Sequence, residues 1–276
     1  MVRQPRAATL MPMPQRPVVS LLTDFGLDDP FVGMMKGVIL QRCAAARIID
    51  LTHAIEPQDV RRAGYGLADS WRYFPPATIH VAVVDPGVGT DRAILAAAVD
   101  GHILIAPDNG LLTAVFEQVQ PDEIRQVSNG AIFLKSISRT FHGRDIFAPT
   151  AGALAAGMPL SDVGPVVDKC VSLDLPHATV TDDGTVRGEV IYIDRFGNLV
   201  TNIAGPQLPL MPRVAIAGRT IEGLVASYGH RPAGELLAVI GSTGRLEIAI
   251  NRGHAAATLD APIGTAVTVA GRQGHD

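Results

Sequence analysis

Apolar positions in the first half of the chain follow two periods. Short runs at residues 18–22, 47–51 and 79–84 read as strands, the first of them buried, each followed by a polar or Gly-rich stretch. After the first run, Asp28 or Asp29 is placed to cap a helix that carries Pro30 in its first turn and runs to about Cys43. Pro57 is expected to open a second helix, because Val60, Ala63, Gly64, Leu67, Ala68 and Trp71 recur at helical spacing. Residues 95–99 and 102–106 read as a hairpin around Asp100-Gly101. A helix near 111–117, a strand near 124–127 and a small-residue helix over 146–157 complete this half. Such alternation predicts an α/β fold, a mostly parallel sheet with helices on both faces.

Beyond Pro159 the pattern changes. Residues 161–183 are loop-rich, and short β-like runs then follow at 190–193, 199–203, 214–217, 236–240, 246–250 and 266–269. They are separated by Gly turns and show no helical period of useful length, which predicts a small C-terminal antiparallel β-barrel. The expected division is a flexible tail over 1–17, an α/β domain over 18–165, a linker over 166–186 and the barrel domain over 187–276.

Composition removes several function classes. With 276 residues, 47% hydrophobic and 18% charged, the chain is too apolar to be disordered. A net charge of −4 without any run of Lys or Arg argues against nucleic acid as a partner, since phosphate binding needs clustered cations. No apolar run reaches the roughly 18–20 residues of a membrane span. At the start, Arg3 and Arg6 precede an apolar stretch broken by Pro12 and Pro14, so a signal peptide is not expected and Met11 or Met13 is an alternative start. Cys43 and Cys170 make neither a disulfide framework nor a zinc site and are expected as buried free thiols; a cytoplasmic location follows.

Candidate chemistry gathers on loops after the strands, where open parallel sheets bind ligands. Asp24 follows the first strand, His53 the second and Asp85 the third. Asp85 opens Asp85-Pro86-Gly87-Val88-Gly89-Thr90, and Arg92 is near enough to fold back onto it; a structural ion pair is the alternative. His142 stands in Phe141-His142-Gly143-Arg144-Asp145, where Asp145 could instead be a helix cap. In the second half, Asp194-Arg195-Phe196-Gly197-Asn198 sets a carboxylate, an aromatic ring and an amide on one turn; this suits a purine or a plain Asx-turn hairpin equally. Gly241-Ser242-Thr243-Gly244 offers backbone N–H groups for a carboxylate. No metal-binding or phosphate-loop motif is present.

The segments Thr23-Asp24-Phe25-Gly26, Asp85 to Thr90, Pro107-Asp108-Asn109-Gly110-Leu111-Leu112-Thr113, Phe141 to Asp145, Asp194 to Asn198 and Leu246-Glu247-Ile248-Ala249 occur in this order. Together they resemble the S-adenosyl-L-methionine (SAM) hydrolases, or SAM hydroxide adenosyltransferases, relatives of the SAM-dependent fluorinase and chlorinase. The resemblance implies a homotrimer with SAM bound between neighbouring subunits, SAM being the substrate and no cofactor being required. It implies Asp85, Arg92 and His142 at the reacting carbon and Asp24 on the ribose hydroxyls. Phe196 and Asn198 would hold adenine, Asp194 the methionine ammonium, and Ser242 and Thr243 its carboxylate.

Departures from the halogenases favour water as the nucleophile. Asp85 stands where they carry Tyr, Val88 where they carry a small hydroxyl residue, and His142-Gly143 where they carry Tyr-Ser. A fixed carboxylate repels a halide but can take a proton from water. The expected reaction is in-line attack of water on C5′, giving adenosine and L-methionine. Which of Asp85 and His142 takes the proton is left open. A halogenase-like enzyme and a non-catalytic SAM- or nucleoside-binding protein are the alternatives.

Overall fold

The computed structural model describes residues 15–271, so most of the 1–17 tail, including the alternative start residues, lies outside the described residues. The chain divides into two compact units that meet at Leu175 and Pro176.

The first unit is built as the apolar runs foretell. Strand β1 (Val18–Thr23) is buried along almost its whole length and lies parallel to both β2 (Arg47–Thr52) and β3 (Ile79–Val83). β4 (Ile94–Val99) and β5 (His102–Pro107) form the expected antiparallel hairpin. At its tip Asp100 and Gly101 have φ of 47° and 78°, the left-handed backbone that an Asp-Gly hairpin turn requires. With β6 (Glu123–Gln126) the six-stranded order is β2-β1-β3-β5-β4-β6, parallel on one side and antiparallel on the other.

Helices α1 (Phe31–Arg42) and α4 (Ala148–Ala155) pack on one face, where Val19, Leu21, Met35, Ile39, Val81, Ala151 and Leu154 share one apolar core. Helix α2 (Val60–Ser70) precedes a short 3₁₀ turn carrying the buried Trp71, and α3 (Thr113–Gln118) packs against α2. Around Trp71 and Phe74 the sheet is polar: Ser20 Oγ meets His80 Nδ1 at 2.7 Å, and His80 Nε2 meets His102 Nδ1 at 3.2 Å. The rings of Phe74 and Trp71 stand edge-on to His80 and His102.

Four local expectations are corrected. Pro30 itself sits at the N-cap of α1, where no side chain caps the helix, so neither Asp28 nor Asp29 has that role. α2 starts at Val60 rather than Pro57, because Gln58 has φ of 70° and Asp59 caps the helix by accepting from Arg62 N. The small-residue helix begins as a π-helical turn, Gly143–Phe147, before α4. Of the free thiols, Cys43 is buried as expected but Cys170 is partly exposed, since its loop does not enter the core.

The second unit is an antiparallel sheet in the order β11-β10-β14-β8-β9-β13-β12, nearly closed into a barrel. Its strands are β7 (Thr179–Val180), paired on β8 (Val186–Ile193), then β9 (Leu199–Ala204), β10 (Pro212–Ile216), β11 (Arg219–Glu222), β12 (Leu236–Ile240), β13 (Arg245–Ile250) and β14 (Ala266–Gly271). Val225 N, just past β11, donates to Ala238 O on β12, linking the two edges. Alternate residues such as Val190, Leu199, Val214, Leu246, Ile248 and Val267 fill the interior. A short helix, α5 (Ala255–Leu259), interrupts the strands, contrary to the expectation of none; five residues are too few to show a period.

Candidate active site

The ends of β1 and β3 open into a cavity of about 410 Å³ within the first unit. Asp24, Gln58, Asp85, Val88, Phe141, His142 and Gly143 are among the residues lining it. Asp24 sits immediately beyond β1, and its Oδ2 accepts from Gln58 N at 2.8 Å. The loop behind Asp24 is anchored by a chain of polar groups, of which Thr23 and His53 are buried. Thr23 Oγ1 lies 2.8 Å from His53 Nδ1, and His53 Nε2 lies 3.1 Å from Asp50 Oδ1, while Lys36 Nζ donates to Asp50 Oδ2. Burial works against the charge on Asp50, but the contacts with Lys36 and His53 outweigh it and hold its pKa below the usual value. His53 therefore supports the loop from behind and lies outside the cavity lining.

Asp85 lies two residues past β3 and stays ordered although buried, for two reasons. Asn109 donates its Nδ2 to Val84 O at 2.9 Å, fixing the strand end. Arg92 then folds back as the sequence spacing suggests: Nε is 2.9 and 2.8 Å from the two Asp85 oxygens, and Nη2 also bonds Oδ2. Only 5% of the Asp85 side chain and 10% of Arg92 are exposed, so this is a screened, two-pronged ion pair. Gly89 permits it. Its φ is 80°, and a Cβ there would overlap Arg139 O, so only glycine lets this loop approach the segment that carries His142.

Arg92 Nη2 is 3.0 Å from His142 Nδ1. A guanidinium can only donate, so Nδ1 is the acceptor and the proton of the neutral ring resides on Nε2. Burial, and next the Arg92 charge, push the His142 pKa below the ordinary imidazole value, while Asp85 and Asp145 pull the other way. Asp145 is wholly buried, accepts from Ser138 N and pairs with Arg144. It ties this segment together and does not act as a helix cap. Phe25, Phe31 and Phe141 pack edge-to-face, with centroids 5.2–6.1 Å apart.

The remaining candidates line a second cavity, of about 550 Å³, within the second unit: Asp194, Phe196, Asn198 and Ser242, with Tyr228, Glu247 and Arg252. Thr243 is the next residue of the same exposed turn as Ser242. The Asp194–Asn198 turn is built around its own carboxylate. Oδ1 accepts from Phe196 N and Asn198 N, and Oδ2 accepts from Asn198 Nδ2. Gly197 has φ of 82° and lies against the His254 ring, with no room for a Cβ. The turn leaves Phe196 75% exposed, an aromatic face with little protein over it.

Asp24, Asp85, Arg92 and His142 thus come together in one unit, and Asp194, Phe196, Asn198 and Ser242 in the other. Sequence reasoning missed Gln58 and Asn109 as supports of Asp24 and Asp85. It also gave no role to Glu247 and missed Tyr228; a lone carboxylate inside the apolar run of β13 was the available signal. Among the described residues, no group of three or more His, Cys, Asp or Glu side chains is arranged to hold a metal ion, and no helix is long and apolar enough to cross a membrane.

Fold and site together define an α/β-plus-barrel protein with a carboxylate–guanidinium–imidazole cluster at its strand ends. Residues 19–164 match the family model of the SAM hydroxide adenosyltransferase N-terminal domain, and residues 188–268 that of the C-terminal domain. The chain belongs to the SAM hydroxide adenosyltransferase family. It is 40% identical over 248 residues to the (R)-S-adenosyl-L-methionine hydrolase of Salinispora tropica, covering 88% of this chain and 94% of that one. The corresponding protein of Thermus thermophilus is 38% identical over 87% of this chain and 94% of its own. A fluorinase of Actinoplanes is 32% identical, over 70% of this chain and 74% of its own. A crystal structure of an uncharacterized conserved protein from Thermotoga maritima superposes with a TM-score of 0.86 at 37% identity, covering 91% of this chain and 99% of that one.

Proposed function

We propose that this protein is an enzyme that hydrolyses S-adenosyl-L-methionine, of the (R) sulfonium configuration named for its relatives, to adenosine and L-methionine. The observation that carries this reading is the linked Asp85–Arg92–His142 cluster, with Asp85 and His142 lining the same cavity as Asp24. Water attacks C5′ in line with the C–S bond; the C5′–O bond forms as the C5′–S bond breaks. Methionine leaves as a neutral thioether, so the leaving group needs no acid. The difficulty lies with water, a weak nucleophile unless it sheds a proton.

The hydrogen-bond pattern supports a division of labour. His142, with its proton on Nε2, orients the water as a donor on that side. Asp85 is left as the acceptor of the water proton, since a carboxylate keeps lone pairs beyond those used by Arg92. Asp24 holds the ribose hydroxyls, Phe196 and Asn198 take the adenine, and the Ser242–Thr243 turn takes the substrate carboxylate. The homotrimer implied by the resemblance, with each site completed by a neighbouring subunit, is part of this reading. SAM serves as substrate, no separate cofactor is required, and a cytoplasmic location suits a SAM-consuming enzyme.

The test is incubation with (R)-SAM in the presence and absence of chloride and fluoride. Equal yields of adenosine and methionine, unchanged by halide, are expected. A 5′-halogenated nucleoside would reassign the enzyme to the halogenase reaction, and tight SAM binding without products would make it a binding protein.

A further inference from the structure

The loop that carries Asp24 is held by more than its own turn. Between Leu21 and Leu22 the register of β1 against β2 slips: Leu21 faces Asp50, but Leu22 faces Thr52. The extra residue brings His53 level with Thr23, the last residue of β1. A slip of this kind re-aims a side chain beside a binding site. Thr23 and His53 are both buried, and two amides of the loop end on them. Phe25 N donates to Thr23 Oγ1 at 3.2 Å, and Gly26 N donates to His53 O at 2.8 Å. Asp24 stands between these anchored residues and lines the first cavity.

The contacts fix the direction of each proton. Thr23 Oγ1 already accepts from Phe25 N, so its own hydrogen is free to point at His53 Nδ1, 2.8 Å away. Nδ1 is then the acceptor, and the ring proton sits on Nε2, facing Asp50 Oδ1 at 3.1 Å. The other tautomer, or a charged ring, would aim an N–H at Thr23 Oγ1 and take the acceptor away from a hydroxyl that has no exposure; an unpaired buried donor is costly. Asp50 is steadied in turn by Lys36 Nζ, on α1, at 2.7 Å. A line of directed contacts thus runs from α1 through Asp50 and His53 to the Asp24 loop, and none of Lys36, Asp50, His53 and Thr23 lines the cavity itself. Gln58 N fixes one oxygen of Asp24 from the front, and this line fixes the backbone from behind.

We infer that His53 is a positioning residue for the ribose site: by accepting from Thr23 and holding Gly26 it fixes the direction in which Asp24 presents its carboxylate, and so sets the preference for an adenosyl group with intact 2′- and 3′-hydroxyls. This role rests on the SAM-hydrolase reading and gives the specificity of the site a determinant that never touches the substrate.

The test compares kcat/KM for (R)-SAM and for its 2′,3′-dideoxy analogue in wild type, His53→Leu and His53→Asn. The leucine side chain fills much of the ring's volume but offers no acceptor; the asparagine side chain is smaller but sets an amide oxygen near the position of Nδ1. Wild type should prefer SAM. His53→Leu should lower kcat/KM for SAM about tenfold, mostly through KM, the loss of one hydrogen bond that orders a binding loop. The analogue should change by less than about threefold, because it has no hydroxyls for Asp24 to hold. His53→Asn should recover most of the loss on SAM. A role in packing alone predicts the reverse order, with His53→Leu the milder change and both substrates affected alike. That result, no loss on SAM, or a wild type indifferent to the hydroxyls would overturn the inference while hydrolysis itself stood. If wild type turned over neither substrate, the hydrolase reading would fail and take this inference with it. Should His53→Leu melt early, Thr23→Val serves instead: it should weaken SAM turnover severalfold and spare the analogue, and equal effects would again overturn the inference.

Discussion

Asp85→Asn separates the structural from the chemical role of the cluster. The substitution preserves volume and one acceptor but removes the charge facing Arg92, whose side chain is 10% exposed. Breaking a buried ion pair by removing one partner costs about 3–5 kcal/mol, and the remaining amide oxygen places this case near the lower end. For a unit of this size, about 3 kcal/mol corresponds to a melting shift of about 6–12 °C. The chemical effect is larger and separable. Loss of a proton acceptor on the attacking water should lower kcat about 10²–10⁴-fold at temperatures where the variant remains folded. Removing Asp85 also removes an influence that raises the His142 pKa, so His142 stays neutral and its protonation cannot account for the loss. The assay is adenosine release under saturating SAM, with circular dichroism and melting on the same samples. A folded Asp85→Asn protein with wild-type kcat would refute the assignment of Asp85 as proton acceptor.

The remaining predictions concern pH and the backbone. His142 must be neutral to accept from Arg92, and burial and Arg92 depress its pKa, so the acidic limb of kcat/KM should lie below pH 6.5; a limb at or above that value would contradict the assignment. His80 is wholly buried beside His102 and Phe74, with its pKa lowered to about 3, first by burial and then by His102. In the unfolded chain it protonates near 6.5, so stability that is full above that pH should fall between about 6.5 and 3 by about 1.4 kcal/mol per pH unit. Denaturant titrations of wild type and His80→Gln should differ in that slope, and identical pH dependence would sink the idea. Gly197→Ala should destabilise the protein by at least about 1 kcal/mol, because φ of 82° and the His254 ring both oppose a Cβ; an unchanged melting temperature would show that the turn relaxes freely.

Much of this architecture was legible because its physical causes are local. Runs such as Ile94–Val99 are buried on both faces and therefore apolar throughout, and Asp100-Gly101 has the backbone freedom that its hairpin needs. The elements that escaped notice are those whose signals are short or non-local. β7 has two residues and α5 five, too few to show a period, and Gln58 with its positive φ displaced the start of α2. In the site, Arg92 was traceable to Asp85 because seven residues of tight turn bring them back together. The contacts of Asn109 with Val84, Thr23 with His53 and Tyr228 with Glu247 join residues that are distant in sequence. Nothing in the local pattern at Glu247 names its partner; only the folding of β13 beside Gly241 and Tyr228 reveals it.

The central claim is that water, activated at the Asp85–Arg92–His142 cluster, attacks C5′ of the adenosyl group. Its most direct test is a reaction with SAM in ¹⁸O-water, followed by mass spectrometry of both products. The account predicts one ¹⁸O atom in the 5′-hydroxyl of adenosine and none in methionine. Unlabelled adenosine, or label in any other position, would contradict it.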